Sequence, residues 1–343
     1  MTFQITVEPS GRGFSTDSDE TILLAAIRQG VGLPYGCKDG ACGSCKCRLV
    51  SGQVNMDGYQ AKALSEDEAA QGLVLTCRAH PLSDVVLESK QVTAEDALPV
   101  RKMPSRVAQL EKLSPDVMRV RLQLPASEAF AYHAGQYVEF ILRDGDRRSY
   151  SMANAAHTQA EVGGIELHIR HMPGGKFTDM VFNELKEKAI LRVEGPFGSF
   201  YLRDDSQAPM VFVASGTGFA PIKALLEHMQ LTGTTRPTTV YWGGRRPQDL
   251  YLNEWMEAAA AAMPNVTYIP VVSDALPEDQ WQGRTGFVHR AVMDDFADLS
   301  AHEVYVCGAP VVVNSARDEF TRLRGLKDEA FYADSFTTAA DQV

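Results

Sequence analysis

Cysteines stand at Cys37, Cys42 and Cys45 in the segment GCKDGACGSCKC, and Cys77 follows after 31 intervening residues. With Cys47 beside the first three, four of the six cysteines in this 343-residue chain lie within eleven positions. Such density marks a disulfide framework chiefly in short secreted chains. This chain is long, and its start, MTFQITVEPSGRGF, has neither the basic nor the apolar stretch of a secretory signal. Its thiols are therefore expected to stay reduced, in the cytoplasm. Core packing does not explain them either, because Gly36, Gly40 and Gly43 flank the cysteines and a glycine-rich loop offers a thiol little apolar surface.

A metal cluster does explain them. Cys-x4-Cys-x2-Cys with one distant cysteine is the ligand spacing of a 2Fe–2S cluster, which assigns Cys37, Cys42, Cys45 and Cys77 as metal ligands. A tight loop bending three thiolates around one cluster needs glycine where a side chain would collide, and backbone N–H groups aimed at the sulfides. Structural zinc would pair its ligands in two short-spaced couples, and Cys77 has no such partner. Cys47 follows Cys45 at strand spacing and is expected in the core. Ser65 and Glu68 form a capping-box pattern for a short helix ending near Gly72, after which LVLTC brings Cys77 back to the loop.

The length predicts roughly two or three domains. Lys and Arg number 33 against 44 Asp and Glu, a net charge of −11, which argues against nucleic acid or an anionic membrane as partner. No apolar run approaches the roughly 18 residues of a membrane span. Residues 1–93 read as a small β-rich module with 8 basic and 11 acidic residues. Residues 94–104, AEDALPVRKMP, read as a linker without apolar periodicity. Residues 105–205 hold short alternating runs suited to an antiparallel β-barrel, and residues 206–343 alternate apolar strands with helices, which implies a parallel-sheet α/β domain.

Two chemistries are written into the later modules. In RRSYSMAN, Arg148, Tyr150 and Ser151 are spaced so that a guanidinium can hold a phosphate, a ring can lie flat on another ring and a hydroxyl can meet a heteroatom; an ordinary edge strand is the competing reading. A strand then ends at Arg170, and PGGKFT opens a helix near Gly175 to Thr178, a ready anion site. His168 and His171 read as surface histidines, with no metal-ligand spacing between them. Gly216, Thr217 and Gly218 follow the strand VFVAS and precede a helix expected to start at Pro221, the strand–turn–helix order of dinucleotide sites without the full fingerprint. Another apolar strand ends at Cys307 and Gly308. Cys307 has no base or oxyanion site in view, so packing or nicotinamide contact is expected of it rather than nucleophilic attack.

Residues 1–93 resemble the plant-type ferredoxins at GCKDGACGSC, which implies a β-grasp fold, with Cys37 and Cys42 on the iron nearer the surface and Cys45 and Cys77 on the deeper one. RRSYSMAN, PGGKFT, EGPFGSF, SGTGFAP, YWGGRRPQDLY and VYVCGAP resemble the ferredoxin-reductase superfamily of flavoproteins over residues 105–336. The order of modules is similar to reductase components of oxygenases, and FNELK, LRVEGPFGSFYLRDD and TGFVHRAVMDD make it more similar still to the CDP-6-deoxyglucoseen reductases. The resemblance implies FAD bound by Arg148, Ser149, Tyr150 and Ser151, by Ile169 and Arg170 at the strand end, and by Gly174, Gly175, Lys176 and Thr178 around the pyrophosphate. It implies NAD(P)H held by Gly216, Thr217, Gly218, Cys307 and Gly308, with Ser151, Thr217, Cys307 and Phe336 nearest the chemistry. Seven residues follow Phe336, an expected aromatic cover for the flavin.

Nicotinamide gives two electrons at once and an iron–sulfur cluster accepts one, so a flavin between them is required to split the pair. The expected path runs from NAD(P)H through FAD and the cluster to a separate electron-accepting enzyme. That acceptor is a sugar dehydratase of the CDP-6-deoxyglucoseen type or, alternatively, a ring-hydroxylating dioxygenase or other monooxygenase component. A 2Fe–2S redox sensor is the reading from another class, and no DNA-binding segment supports it. Arg245 and Arg246 follow a strand end, where arginine can meet the 2′-phosphate of NADPH, yet NADH is favoured. A monomer is expected.

Overall fold

In Thr2–Glu8, side chains alternate between solvent and interior, with Ile5 and Val7 fully buried, and this period of two makes the run a strand. The computed structural model describes residues 1–92, 97–126 and 130–337. As far as they are described, Met1–Val100 and the chain from Ala333 onward form one unit, and Arg101–Tyr332 form a second.

The first unit is a five-stranded mixed sheet in the order Arg12–Asp17, Thr2–Glu8, Val85–Glu88, Lys46–Ser51, Leu73–Leu75. Thr2–Glu8 runs antiparallel to the first of these and parallel to Val85–Glu88. The helix Ile22–Arg28 starts at Thr21, whose side chain accepts from the Leu24 N–H, and turns its apolar face inward. The capping box of Ser65 and Glu68 is present and opens Glu66–Ala70. Cys47 is buried in the strand after the cysteine loop, and burial pushes its thiol up to about 12.

The second unit begins with a six-stranded antiparallel sheet ordered Arg147–Ser151, Tyr137–Ile141, Ile190–Phe197, Arg101–Ser114, Val117–Gln123, Ile165–Arg170. A bridge from Met152 to Leu167 brings its two edges together. The expected linker needs correction. Residues 94–96 lie outside the described residues, but residues 101–104 already belong to the strand Arg101–Ser114. Met103, Ser105 and Val107 point inward at a period of two, and Pro104, which masks that pattern in the sequence, faces out opposite Arg192.

Beyond the barrel lies a parallel sheet, ordered Arg284–Thr285, Val266–Val272, Thr238–Gly244, Met210–Ser215, Glu303–Gly308, with Phe331 and Tyr332 on the last strand. Val211, Phe212, Val213, Tyr241, Trp242, Tyr305 and Val306 are fully buried, each valine contributing about 1.5–3 kcal/mol by leaving water. From Met210–Ser215 the chain builds outward in one direction, then returns to add Glu303–Gly308 on the other side. The order therefore reverses between these two strands, and a crevice opens at such a switch point beyond the strand ends. Gly216–Gly218 forms a single 3-10 turn there, and the helix Phe219–Thr232 begins two residues before the expected Pro221, since proline is tolerated in a first helical turn.

A Cβ at Gly218 would sit 2.2 Å from the Cys307 carbonyl oxygen, a backbone atom with no freedom to rotate away. Gly218→Ala is accordingly expected to cost about 1–3 kcal/mol, read as a lower urea midpoint; an unchanged midpoint would show that the two strand ends can separate.

Candidate functional site

The cysteine loop turns through Lys38, Gly40 and Gly43, all with positive φ. At Gly40 and Gly43 a Cβ would come within 2.9 Å of Tyr59 and of the Ala63 carbonyl, so glycine is required by the close approach as well as by the turn. Two sulfur pairs result. Cys37 and Cys42 exchange backbone N–H to Sγ contacts at 3.4 and 3.3 Å, and the Ser44 N–H reaches Cys42 Sγ at 3.4 Å. Cys45 Sγ and Cys77 Sγ lie 3.2 Å apart. The Cys37 thiol and two N–H groups hold Cys42 down at about 6, while Cys37 is pushed up by sharing its proton with Cys42 and by burial. Cys77 is pushed up likewise beside Cys45.

Among the described residues no three His, Cys, Asp or Glu side chains gather as a single ion would need. Two thiol pairs, with N–H groups already aimed at sulfur, fit a two-iron cluster with two thiolates per iron. Cys37 is the most exposed of the four and Cys45 and Cys77 are buried deepest.

In the barrel, Arg148 and Tyr150 share one face of the strand Arg147–Ser151. The Tyr150 ring meets Phe177 at 5.4 Å and Phe140 at 5.8 Å, which joins this strand to the first turn of the helix Lys176–Asn183. No side chain caps that helix. Lys176 pairs with Asp144, and Arg148 with Asp146 at 3.2 Å, so two cations and an uncapped helix start line one edge, a fit for a diphosphate. The Gly174 N–H is engaged by Asp179 Oδ2 at 3.1 Å. At Gly175 a Cβ would come within 2.8 Å of the Met172 carbonyl.

Other expected contacts fall elsewhere. Ser149 lies on the opposite face from Arg148 and Tyr150, its hydroxyl donating to Glu139 at 3.4 Å. The Ile169 side chain is fully buried in the barrel core, which leaves its backbone to meet a ligand. The Thr178 hydroxyl donates to the Met172 carbonyl at 2.9 Å and so braces the loop. Ser151 is buried. Arg170 lies between Asp116, at 2.9 Å, and Asp249, at 3.4 Å, with Nη1 2.7 Å from where a Gly216 Cβ would be. Its guanidinium therefore stands over the turn Gly216–Gly218. At the switch point Thr217 is 9% exposed, and Cys307 is fully buried with its carbonyl, rather than its thiol, facing Gly218. Phe336 is half-buried just past the strand Phe331–Ser335, in the first unit; residues 338–343 of the tail lie outside the described residues.

Beside the switch point a cavity of about 370 Å³ is lined by Pro115 and Asp116 of the barrel and by Arg245, Arg246, Gln248, Asp249 and Asp274. His168 is a correction: it is 4% exposed, not at the surface. One of its ring nitrogens meets Glu166 at 3.0 Å and the other the Tyr251 hydroxyl at 3.0 Å. Both faces of its strand are covered, one by the barrel core and the other by groups from the nucleotide half. Glu166 is buried too, and although burial opposes its charge, His168, Lys223 and Arg119 together hold its carboxyl well below the usual range. Burial holds the His168 imidazole below its ordinary 6.5.

Both groups bind protons less readily in the folded chain than in the unfolded one, so both shifts make stability fall as pH falls. The loss from His168 begins below about 6.5 and that from Glu166 below about 4.5. His168→Gln should remove the first loss and keep the second, read from urea midpoints across pH; an unaltered profile would mean that the imidazole binds its proton equally well folded and unfolded. Glu166→Gln should cost about 1.5–3 kcal/mol at neutral pH through weakened charge-assisted hydrogen bonds, since Lys223 keeps Glu227 and Arg119 keeps Glu111.

Residues 5–82 match the 2Fe-2S iron-sulfur cluster binding domain, residues 104–201 the oxidoreductase FAD-binding domain and residues 212–318 the oxidoreductase NAD-binding domain. Over 339 residues the chain is 39% identical to a CDP-6-deoxy-L-threo-D-glycero-4-hexulose-3-dehydrase reductase of Yersinia pestis, covering 98% of this chain and 99% of that protein. It is 36% identical over 340 residues to a terephthalate 1,2-dioxygenase reductase component of a Comamonas species, covering 98% of each. Among solved structures, an Amycolatopsis cytochrome P450 reductase superposes with a TM-score of 0.78 at 32% identity, over 98% of this chain and 99% of that one.

Proposed function

The chain belongs to the iron–sulfur flavoprotein reductases, which join 2Fe–2S, FAD-binding and NAD-binding domains in one polypeptide, and from that membership we propose that it supplies electrons to a separate enzyme. When bound, FAD takes the electron pair that NAD(P)H brings as hydride and releases it one electron at a time to the cluster. The observation that carries the reading is the convergence of four thiols in two pairs, inside the region that matches the cluster-binding domain.

Cys37, Cys42, Cys45 and Cys77 are the cluster ligands in this reading, and the neighbouring N–H groups stabilise the charge on sulfur. Arg148, Lys176 and the start of the helix hold the FAD diphosphate, and Tyr150 lies on the flavin ring with Ser151 at its edge. Thr217, between Gly216 and Gly218, and the strand end at Cys307 and Gly308 hold the nicotinamide. The ferredoxin, flavin and nicotinamide domains run over residues 1–93, 101–205 and 206–332. No described helix is long and apolar enough to cross a membrane, and a cytoplasmic monomer is our reading.

The acceptor is a sugar dehydrase, supported by the identity of 39% over nearly the whole length of a hexulose-3-dehydrase reductase. An oxygenase component is the second reading, supported by the full-length similarity to a dioxygenase reductase and a P450 reductase. Cys77→Ser is expected to abolish cytochrome c reduction and largely spare ferricyanide, which can draw electrons before the cluster; equal loss of both would overturn the order of carriers.

NADH is the favoured donor. Arg246 is held by both oxygens of Asp279, at 2.7 and 2.8 Å, and Asp116, Asp249 and Asp274 line the adjoining cavity. Carboxylates accept ribose hydroxyls and repel a 2′-phosphate. kcat/KM should be higher for NADH than for NADPH, and Asp279→Ala, by freeing Arg246, should raise the NADPH value by about tenfold or more. An NADPH preference in the wild type would refute this.

A further inference from the structure

The turn Gly216–Gly218 runs directly into the helix Phe219–Thr232, and about one and two turns along that helix Lys223 and Glu227 reach back to the barrel. Lys223 is only 5% exposed. Its ammonium donates to the Ala153 carbonyl at 3.0 Å, pairs with Glu227 at 2.5 Å and lies 3.6 Å from Glu166. Glu227 accepts the Ala155 N–H at 2.8 Å and the Thr158 hydroxyl at 3.3 Å. Ala153 and Ala155 lie on the direct continuation of the strand Arg147–Ser151.

The gripped backbone is held from the barrel side as well. The Ala153 N–H donates to the Glu166 carbonyl at 2.7 Å, the Asn154 side chain accepts the Glu166 N–H at 2.8 Å, and the Tyr132 hydroxyl donates to the Asn154 carbonyl at 3.0 Å. Burying a lysine–glutamate pair has a large desolvation cost, and apolar residues of the same size would join two surfaces at least as firmly. What the charged pair adds is direction: each group bonds one chosen backbone atom and so sets a register.

We propose that Lys223 and Glu227 are positioning residues for hydride transfer, fixing the nicotinamide turn against the flavin strand through the backbone of Ala153 and Ala155. This rests on the proposed assignment of Tyr150 and Ser151 to the flavin and of Gly216–Gly218 to the nicotinamide. The two charged residues sit in the first two to three turns of the helix that leaves that nicotinamide site, and the atoms they hold lie two and four residues beyond Ser151.

The test is anaerobic rapid mixing of FAD- and cluster-loaded protein with NADH, in wild type, Lys223→Met/Glu227→Gln and Lys223→Arg. The double variant leaves Glu166 paired with Arg119, Arg121 and His168, so no charge is stranded. Because a misplacement of about 1 Å can cost on the order of a hundredfold, its limiting rate of flavin reduction should fall by about that factor. FAD content and the NADH dissociation constant should stay within about threefold of wild type. Lys223→Arg restores a cationic donor and should recover most of the rate. Hydrogen exchange of the Tyr150–Thr158 peptide gives a readout without turnover: its protection should drop in the double variant and return in Lys223→Arg.

A double variant that keeps the wild-type limiting rate overturns the inference. So does a fall in rate matched by equal loss of FAD or an equal rise in the NADH dissociation constant, which marks an ordinary structural contact. If the double variant does not fold, Glu227→Gln alone, which keeps an acceptor for Ala155, decides on the same rate and exchange readouts, with a fall of about tenfold expected. A wild-type flavin that NADH fails to reduce would defeat the electron path and this inference together, whereas a reducible wild type with an equally fast variant defeats this inference alone.

Discussion

Between Gly218 and the carbonyl of Cys307 there is no space for a side chain. Met210–Ser215 and Glu303–Gly308 run parallel, with Ala214 level with Cys307, and their ends must then turn apart because the strand order reverses there. A second contact of the same kind lies at Gly308, where a Cβ would fall 2.5 Å from the Ser215 carbonyl. These glycines are demanded by protein backbone before any ligand is considered, and the tight turn they permit launches the helix Phe219–Thr232. Through that helix the turn is tied to the barrel by Lys223 and Glu227. The geometry of the proposed donor site is thus inherited from sheet topology.

Charge is used differently in the two settings. The surface is acidic, with an excess of eleven carboxylates over the chain, and surface ion pairs contribute little to stability. Inside the second unit, buried Glu166 is ringed by Lys223, His168 and the half-buried Arg119 and Arg121, with Glu227 and Glu111 as further partners of Lys223 and Arg119. Such a cluster is costly to assemble and costly to break, so it specifies one arrangement of barrel and nucleotide sheet rather than adding general cohesion.

How much of this was legible in the sequence depended on whether the constraint was local. The cysteine loop was readable because cluster chemistry dictates spacing, and the capping box at Ser65 and Glu68 because both partners lie within one helical turn. Strand alternation exposed the barrel and the parallel sheet. The start of the first barrel strand was hidden by Pro104, an outward-facing residue that resembles a linker signal. The burial of His168 and the position of Arg170 were not readable, since Tyr251, Asp249 and Gly216, which surround them, arrive from at least 46 positions along the chain. Lys223 and Glu227 had the spacing of an ordinary helix-surface pair, and only tertiary packing turns them inward.

The central claim is that electrons from the nicotinamide reach the cluster only by way of the flavin. Its most direct test is to strip FAD from the protein while retaining the iron–sulfur cluster, add NADH without oxygen, and follow the cluster by electron paramagnetic resonance. The account predicts that the cluster stays oxidised until FAD is restored and is then reduced. A cluster that NADH reduces equally well with the flavin removed would contradict it.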